Sequence, residues 1–144
     1  MSERDPYLHP ILPLLRNKLG ISDADQLDQI ERQLVTQRII EGVPEGRFDL
    51  LHLRAIHRHL FQDLYDWAGE LRTVEIAKDG HQFQFRRFIT IGMTDIHQRL
   101  VTADFLQGLS SRGFAQTAGP IIGDLNYVHP FRDGNGRTQL QYLD

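Results

Sequence analysis

Eleven residues near the end of the chain, HPFRDGNGRTQ at 129–139, bring together an imidazole, a carboxylate, an amide, two guanidinium groups and two glycines. Backbone N–H groups of Gly134, Asn135 and Gly136, placed just ahead of a helix opening near Arg137, form an anion nest aided by the positive end of the helix dipole. Glycine lets backbone approach a phosphate and take positive φ, while the Asn135 amide offers further donors. Arg137 adds a charge-assisted contact. Asp133 beside such a nest is repulsive toward phosphate unless a cation lies between them, and Mg²⁺ prefers one or two carboxylates plus phosphate oxygens and water. His129 titrates closest to neutrality of all side-chain types and suits a base that accepts the proton of an attacking hydroxyl. These roles together describe phosphoryl or nucleotidyl transfer.

The elements that must position the loop follow from apolar spacing. A helix is predicted from Ser22 to about Gly42, with Ser22 and Asp25 as a capping box and Leu27, Ile30, Leu34 and Ile39 on one face. A second begins after Asp49 as N-cap, with Phe48 and Leu53 as a hydrophobic staple and Leu53, Ile56, Leu60 and Leu64 as its face, and ends near Trp67–Gly69. From Thr73 to Phe85 the period becomes two, with Val74 and Ile76 on one arm, Phe83 and Phe85 on the other, and Asp79-Gly80 between them, the signature of a β-hairpin. Helical spacing returns at Met93, Ile96 and Leu100, and again at Phe114, Ala118, Ile121, Leu125 and Val128, where Gly119-Pro120 should kink the helix or mark its true start. The outline is mostly α, with four or more helices and one hairpin.

Composition narrows the class. A chain of 144 residues with 40% hydrophobic and 24% charged side chains fits one globular domain, 1–144. A net charge of −3 gives no general basic field for nucleic acid, so any anion site is local. The absence of cysteine excludes disulfides, thiolate metal sites and a cysteine nucleophile. No apolar run suggests a membrane segment, and a cytoplasmic protein is expected. His52, His57 and His59 cluster in the second helix, but His57 and His59, two apart, point to different faces, and His52 and His59, seven apart, are too distant to share one ion easily, which disfavours a metal there.

The loop resembles the Fic-domain signature, written His-Pro-Phe-x-Asp/Glu-Gly-Asn-Gly/Lys-Arg-x-x-Arg, at His129, Pro130, Phe131, Asp133, Gly134, Asn135, Gly136 and Arg137. Supporting similarity to bacterial Fic toxins runs through GRFDLLHLRAIHRHLFQDLYDWAGELRTV and the start RDPYLHP. The resemblance implies the Fic fold, a helical bundle with a β-hairpin flap beside the nucleotide loop, and transfer of AMP from ATP to a protein hydroxyl. It implies His129 as the base, Asp133 as the Mg²⁺ ligand, Asn135 with Gly134 and Gly136 at the α- and β-phosphates, Arg137 at the distal phosphates and Phe131 as an apolar anchor. The flap, through Val74, Glu75, Ile76 and Phe83, would pair with the target's backbone; an ordinary hairpin with Phe83 and Phe85 packed inward is the alternative for those two side chains.

Three features depart from the family pattern. The final arginine falls on Leu140, which removes a contact to the γ-phosphate. The chain ends at Asp144, about two turns into the motif helix, where relatives continue, so a shortened domain is expected. The inhibitory motif Ser/Thr-x-x-x-Glu-Gly/Asn is missing, since Glu41-Gly42 and Glu45-Gly46 are preceded by Gln37 and Glu41; inhibition by the family mechanism would then need a separate small antitoxin. Among targets of related toxins are gyrase and topoisomerase IV. Two other functions remain open: a protein kinase like the Doc branch, disfavoured because Doc-like motifs carry lysine where Gly136 stands, and an inactive nucleotide-binding module.

Overall fold

The computed structural model describes residues 5–143. Five helices, α1 (Ala24–Glu41), α2 (Leu50–Phe61), α3 (Ile89–Thr102), α4 (Ser111–Val128) and α5 (Asn135–Tyr142), surround a common core, and one hairpin, β1 (Ala77–Lys78) with β2 (His81–Gln82), projects between α2 and α3 in sequence. Central to the packing is α2, which meets α1, α3 and α5, while α4 packs on α3 and α5.

Asp49 caps α2 by accepting from the His52 N–H at 2.9 Å. Leu53, Ile56, Leu60 and Leu64 are all fully buried, as the spacing predicts, each side chain contributing about 1.5–3 kcal/mol of apolar transfer. The helix stops at Phe61, earlier than the expected Trp67–Gly69. Successive turns follow, closed by the N–H of Leu64 on Phe61 O and of Ala68 on Tyr65 O. Those turns bring both Tyr65 and Trp67 inward, stacked at 4.5 Å, an arrangement that a continuing helix two residues apart would not allow.

The α1 helix starts one residue later than the proposed capping box allows. Its N-cap is Asp23 with no side-chain cap bond, and the fully buried stripe is Leu27, Glu31 and Val35, with Leu34 and Ile39 only packed against its margin. An interior glutamate replaces an apolar residue in that stripe because a polar partner waits opposite, as described below. In α3, Ile89, Met93, Ile96 and Leu100 face inward; in α4, Ala118, Ile121, Leu125 and Val128 do so, whereas Phe114 is exposed. The α4 helix runs unbroken through Pro120 from a start at Ser111, capped by Ser110, so Pro120 does not mark its beginning.

The hairpin forms with Ala77 opposite Gln82 and Lys78 opposite His81, and Asp79-Gly80 between them both take positive φ, 52° and 79°. Two positive φ values in succession are what a type I′ turn requires. The bond from Phe83 N–H to Ile76 O extends the pairing by one step.

Candidate active site

Phe131 is the nail of the motif loop. Its ring is fully buried and stacks on the His57 ring at 3.9 Å. His57 in turn accepts from the Gly69 N–H at Nδ1 (2.8 Å) and bonds the Asp133 carbonyl at Nε2 (2.9 Å). A carbonyl only accepts, so Nε2 carries the proton and the ring is neutral; burial, opposed by the bond to Asp133 and aided by Arg137, holds its pKa down to about 4. The histidines of α2 therefore go separate ways, His52 to Pro44 O, His57 to the loop and His59 to Arg38 O.

Asn135 closes the loop from inside. Its Oδ1 accepts from the Phe131 N–H (2.9 Å) and its Nδ2 donates to the Phe131 carbonyl (2.7 Å). The amide expected to reach for phosphate is thus turned inward and shapes the nest instead. What remains for an anion is backbone, since the first N–H groups of α5 have no acceptor within the helix. Gly134, with φ 79°, is the N-cap, and a Cβ there would lie 2.3 Å from Phe61 Cζ. Gly136 lies on the exposed side, free of any neighbour that a Cβ would strike.

His129 is the C-cap of α4 in the left-handed conformation (φ 47°, ψ 67°), which turns its ring out of the helix line toward the nest. Nδ1 lies 3.0 Å from Asn126 O, so Nδ1 donates and Nε2 keeps its lone pair. Burial, with the positive charges of Arg72 and Lys78, lowers its pKa despite that bond, favouring the neutral form. Phe83 of the flap stacks on the ring at 3.8 Å and 12°.

Arg137 is where the structure adds most to the sequence. Its Nη2 pairs with Glu31 Oε1, its guanidinium lies over the Phe61 ring at 4.9 Å, and Glu31 Oε2 accepts from the Tyr65 hydroxyl. Burial and Glu31 raise the pKa of Asp133, with Arg137 and Gly134 pulling the other way. No sequence motif marks Glu31 as a site residue. The signal was present as a lone acid midway between Leu27 and Val35 at helical spacing. With Glu31 engaged by Arg137 and Tyr65, the carboxylate left to face the nest cavity is that of Asp133, and a single carboxylate beside phosphate fits an oxygen-preferring divalent cation. No group of three or more His, Cys, Asp or Glu side chains converges among the described residues, so such an ion would take its remaining ligands from phosphate and water.

His129, Asp133, Gly134, Gly136 and Arg137 share one cavity of about 860 Å³, walled on the apolar side by Phe114, Ile122 and Leu140. Leu140 is 71% exposed and offers no charge where the signature has arginine. The flap residues are only partly available for docking. Glu75 Oε1 accepts from Arg86 N–H (2.7 Å) and from Arg72 (3.3 Å), Val74 O accepts from Arg72, and Ile76 O is used within the hairpin. Phe83 sits on His129, and Phe85 is exposed rather than packed inward.

Residues 47–143 match the Fic/DOC family. The chain is 38% identical over 140 residues to a probable protein adenylyltransferase of Sinorhizobium fredii, y4lH, covering 96% of this chain and 73% of that protein. It is 39% identical over 142 residues to the protein adenylyltransferase VbhT of Bartonella schoenbuchensis, covering 96% of this chain but 30% of the relative. Among solved structures, the BepC effector of Bartonella tribocorum with bound AMPPNP superimposes with a TM-score of 0.85 at 26% identity, covering 95% of this chain and 74% of that one. The N-terminal Fic domain of an effector from Bartonella quintana with bound ADP gives 0.84 at 29% identity, covering 95% and 72%.

Proposed function

This chain belongs to the Fic/DOC family, and from that premise we propose that it is a protein adenylyltransferase, moving AMP from ATP to a hydroxyl side chain of a target protein. One observation carries the reading: the Nδ1–H of His129 is pinned on Asn126 O, leaving a neutral ring with a lone pair at Nε2 beside a backbone anion nest.

In the reaction, the target hydroxyl gives its proton to Nε2 as its oxygen attacks the α-phosphorus. A new O–P bond forms, the bond between the α-phosphorus and the bridging oxygen breaks, and pyrophosphate leaves. The amides of Gly134, Asn135 and Gly136 and the guanidinium of Arg137 hold phosphate oxygens as charge builds up on them. Asp133 would hold Mg²⁺, whose charge would neutralise phosphate oxygens. Ile76 O turns inward to Phe83, so strand alternation directs the backbone groups of Glu75 and Ala77 outward, where an extended target segment can add as a strand. Phe83 lies over the base and is displaced or slid along as the target side chain enters.

The proposal extends to context. The protein acts in the cytoplasm, where ATP is abundant, as the toxin of a toxin–antitoxin pair, held by a small inhibitory protein; gyrase and topoisomerase IV are the first targets to assay. No helix of the described residues is long and apolar enough to cross a membrane. Kinase chemistry of the Doc type would need the γ-phosphate turned inward, and Gly136 in place of lysine supports the adenylyl orientation. The deciding assay supplies ATP labelled at the α- or the γ-phosphate to the protein, Mg²⁺ and bacterial lysate. Transfer from the α position alone, lost in His129→Ala with ATP binding retained and weakened in Asp133→Ala through loss of Mg²⁺-dependent binding, is expected. Transfer from the γ position alone would establish the kinase, and thermal stabilisation by Mg-ATP without transfer would leave an inactive nucleotide module.

A further inference from the structure

One buried cation plays no part in the chemistry above. The Arg72 side chain is fully buried between the base of the flap and the end of α4. Its Nε donates to His129 O (2.8 Å), Nη1 to Val74 O (2.8 Å) and Glu75 Oε1 (3.3 Å), and Nη2 to Val128 O (3.2 Å) and Gln84 O. Its own N–H donates to Pro130 O at 2.9 Å. One planar fork thus grips two kinds of backbone. Val74 and Gln84 lie on the two arms of the flap, while Val128 and His129 are the last turn and cap of α4.

We propose that Arg72 is a positioning residue for transfer, fixing the distance and angle between the target-docking edge of the flap and Nε2 of His129. This rests on the adenylyltransferase reading and on target docking at the flap. Each side of the grip has a physical need for it. The last carbonyls of a helix lack intrahelical donors and carry its negative dipole end, so a buried cation there satisfies both. His129 departs from the helix in a left-handed conformation, and a bond at its carbonyl holds the residue that aims the ring. The hairpin has two paired positions on each strand, too little to hold its own direction, so its aim is set by what anchors its base. Besides Arg72 these anchors include the Gln84 N–H on Tyr127 O, the Thr73 N–H on the Tyr7 hydroxyl, the Arg86 N–H on Glu75 Oε1 and the Phe83 ring on His129. Lysine cannot substitute, because a single ammonium reaches one side of the grip or the other.

Two variants separate the fork from the charge. Arg72→Lys keeps the charge and loses the fork; Arg72→Gln loses both. For each, with wild type alongside, the measurements are the initial rate of α-label transfer to lysate protein at saturating Mg-ATP, ATP affinity by calorimetry, amide exchange, and the NMR titration of His129. Arg72→Lys should lower transfer by about 10–100-fold, the size expected of misplacement by an ångström, with ATP affinity within about twofold of wild type. Exchange should quicken at 74–84 and 126–130 and stay unchanged in α2. The charged groups acting on His129 are Arg72 and Lys78, with the Asn126 carbonyl and the Phe83 ring as its other neighbours. Burial, in part under Phe83, is the main cause of the lowered His129 pKa, so its titration should move to higher pH in both variants as the flap loosens, and further in Arg72→Gln, where one charge opposing the imidazolium is also gone. Wild-type transfer in Arg72→Lys, a parallel fall of rate and ATP affinity, or exchange quickened throughout the core would overturn the proposal. Should wild type itself transfer no label, the adenylyltransferase reading fails by that result alone, and localised exchange together with the two titrations still decides whether Arg72 aligns flap and base.

Discussion

Replacing Gly134 by alanine tests the geometry of the nest directly. The added Cβ would stand 2.3 Å from Cζ, 2.5 Å from Cε2 and 3.1 Å from Cε1 of Phe61. That ring cannot simply withdraw, because it is fully buried, tilted against His57 at 4.7 Å and roofed by the Arg137 guanidinium. Two penalties add. A non-glycine residue in the left-handed region costs about 1–2 kcal/mol, and forcing atoms into a packed core costs about 1–3 kcal/mol. The sum of about 2–5 kcal/mol is a large share of a total stability of about 5–15 kcal/mol. Urea unfolding of Gly134→Ala should therefore show a lower midpoint with an unchanged slope. In a Phe61→Leu background the clash is relieved and the backbone penalty stays, so the same substitution should cost only about 1–2 kcal/mol. Equal costs in both backgrounds, or a single variant within about 0.5 kcal/mol of wild type, would refute the account of why glycine stands there.

Three further outcomes are expected. Glu31→Gln keeps an acceptor for Tyr65 but removes the counter-ion of Arg137, so it should cost about 1–2 kcal/mol in unfolding while tightening ATP binding in calorimetry; weaker ATP binding would mean that Glu31 holds Arg137 in its productive place. Leu140→Arg should raise the rate of label transfer by restoring a cation at the exposed wall of the cavity, and an unchanged rate would place the distal phosphates elsewhere. Unfolded His57 takes up a proton near 6.5 and folded His57 near 4, so the unfolded state binds more protons between these values and stability falls as pH drops from about 7 to 4. The full effect is about 3 kcal/mol; a His57 resonance titrating near 6.5 in the folded protein would contradict it.

Much of this protein was legible along the chain because the forces concerned act over a few residues. The Asp79-Gly80 turn, the Asp49 cap, the glycine at the left-handed position 134 and the inward faces of α2, α3 and α4 each follow from local backbone preference or helical period. The ordered motif also named the residues that gather at one cavity. What periodicity cannot supply is the identity of the group met across the core. Glu31 is not part of the apolar face predicted for α1, and its role appears only when Arg137, 106 positions away, and Tyr65 arrive to share its charge. Arg72 belongs to no motif or periodic pattern, and its place is defined only when five acceptors from the flap and α4 close around it. Asn135 reads as a free amide until the loop folds back on it, and the turns after α2 stack the Tyr65 and Trp67 rings on each other, with the Tyr65 hydroxyl on Glu31. A buried polar group is stable only with its partners in place, and those partners come from distant segments that only the tertiary fold brings within hydrogen-bond reach.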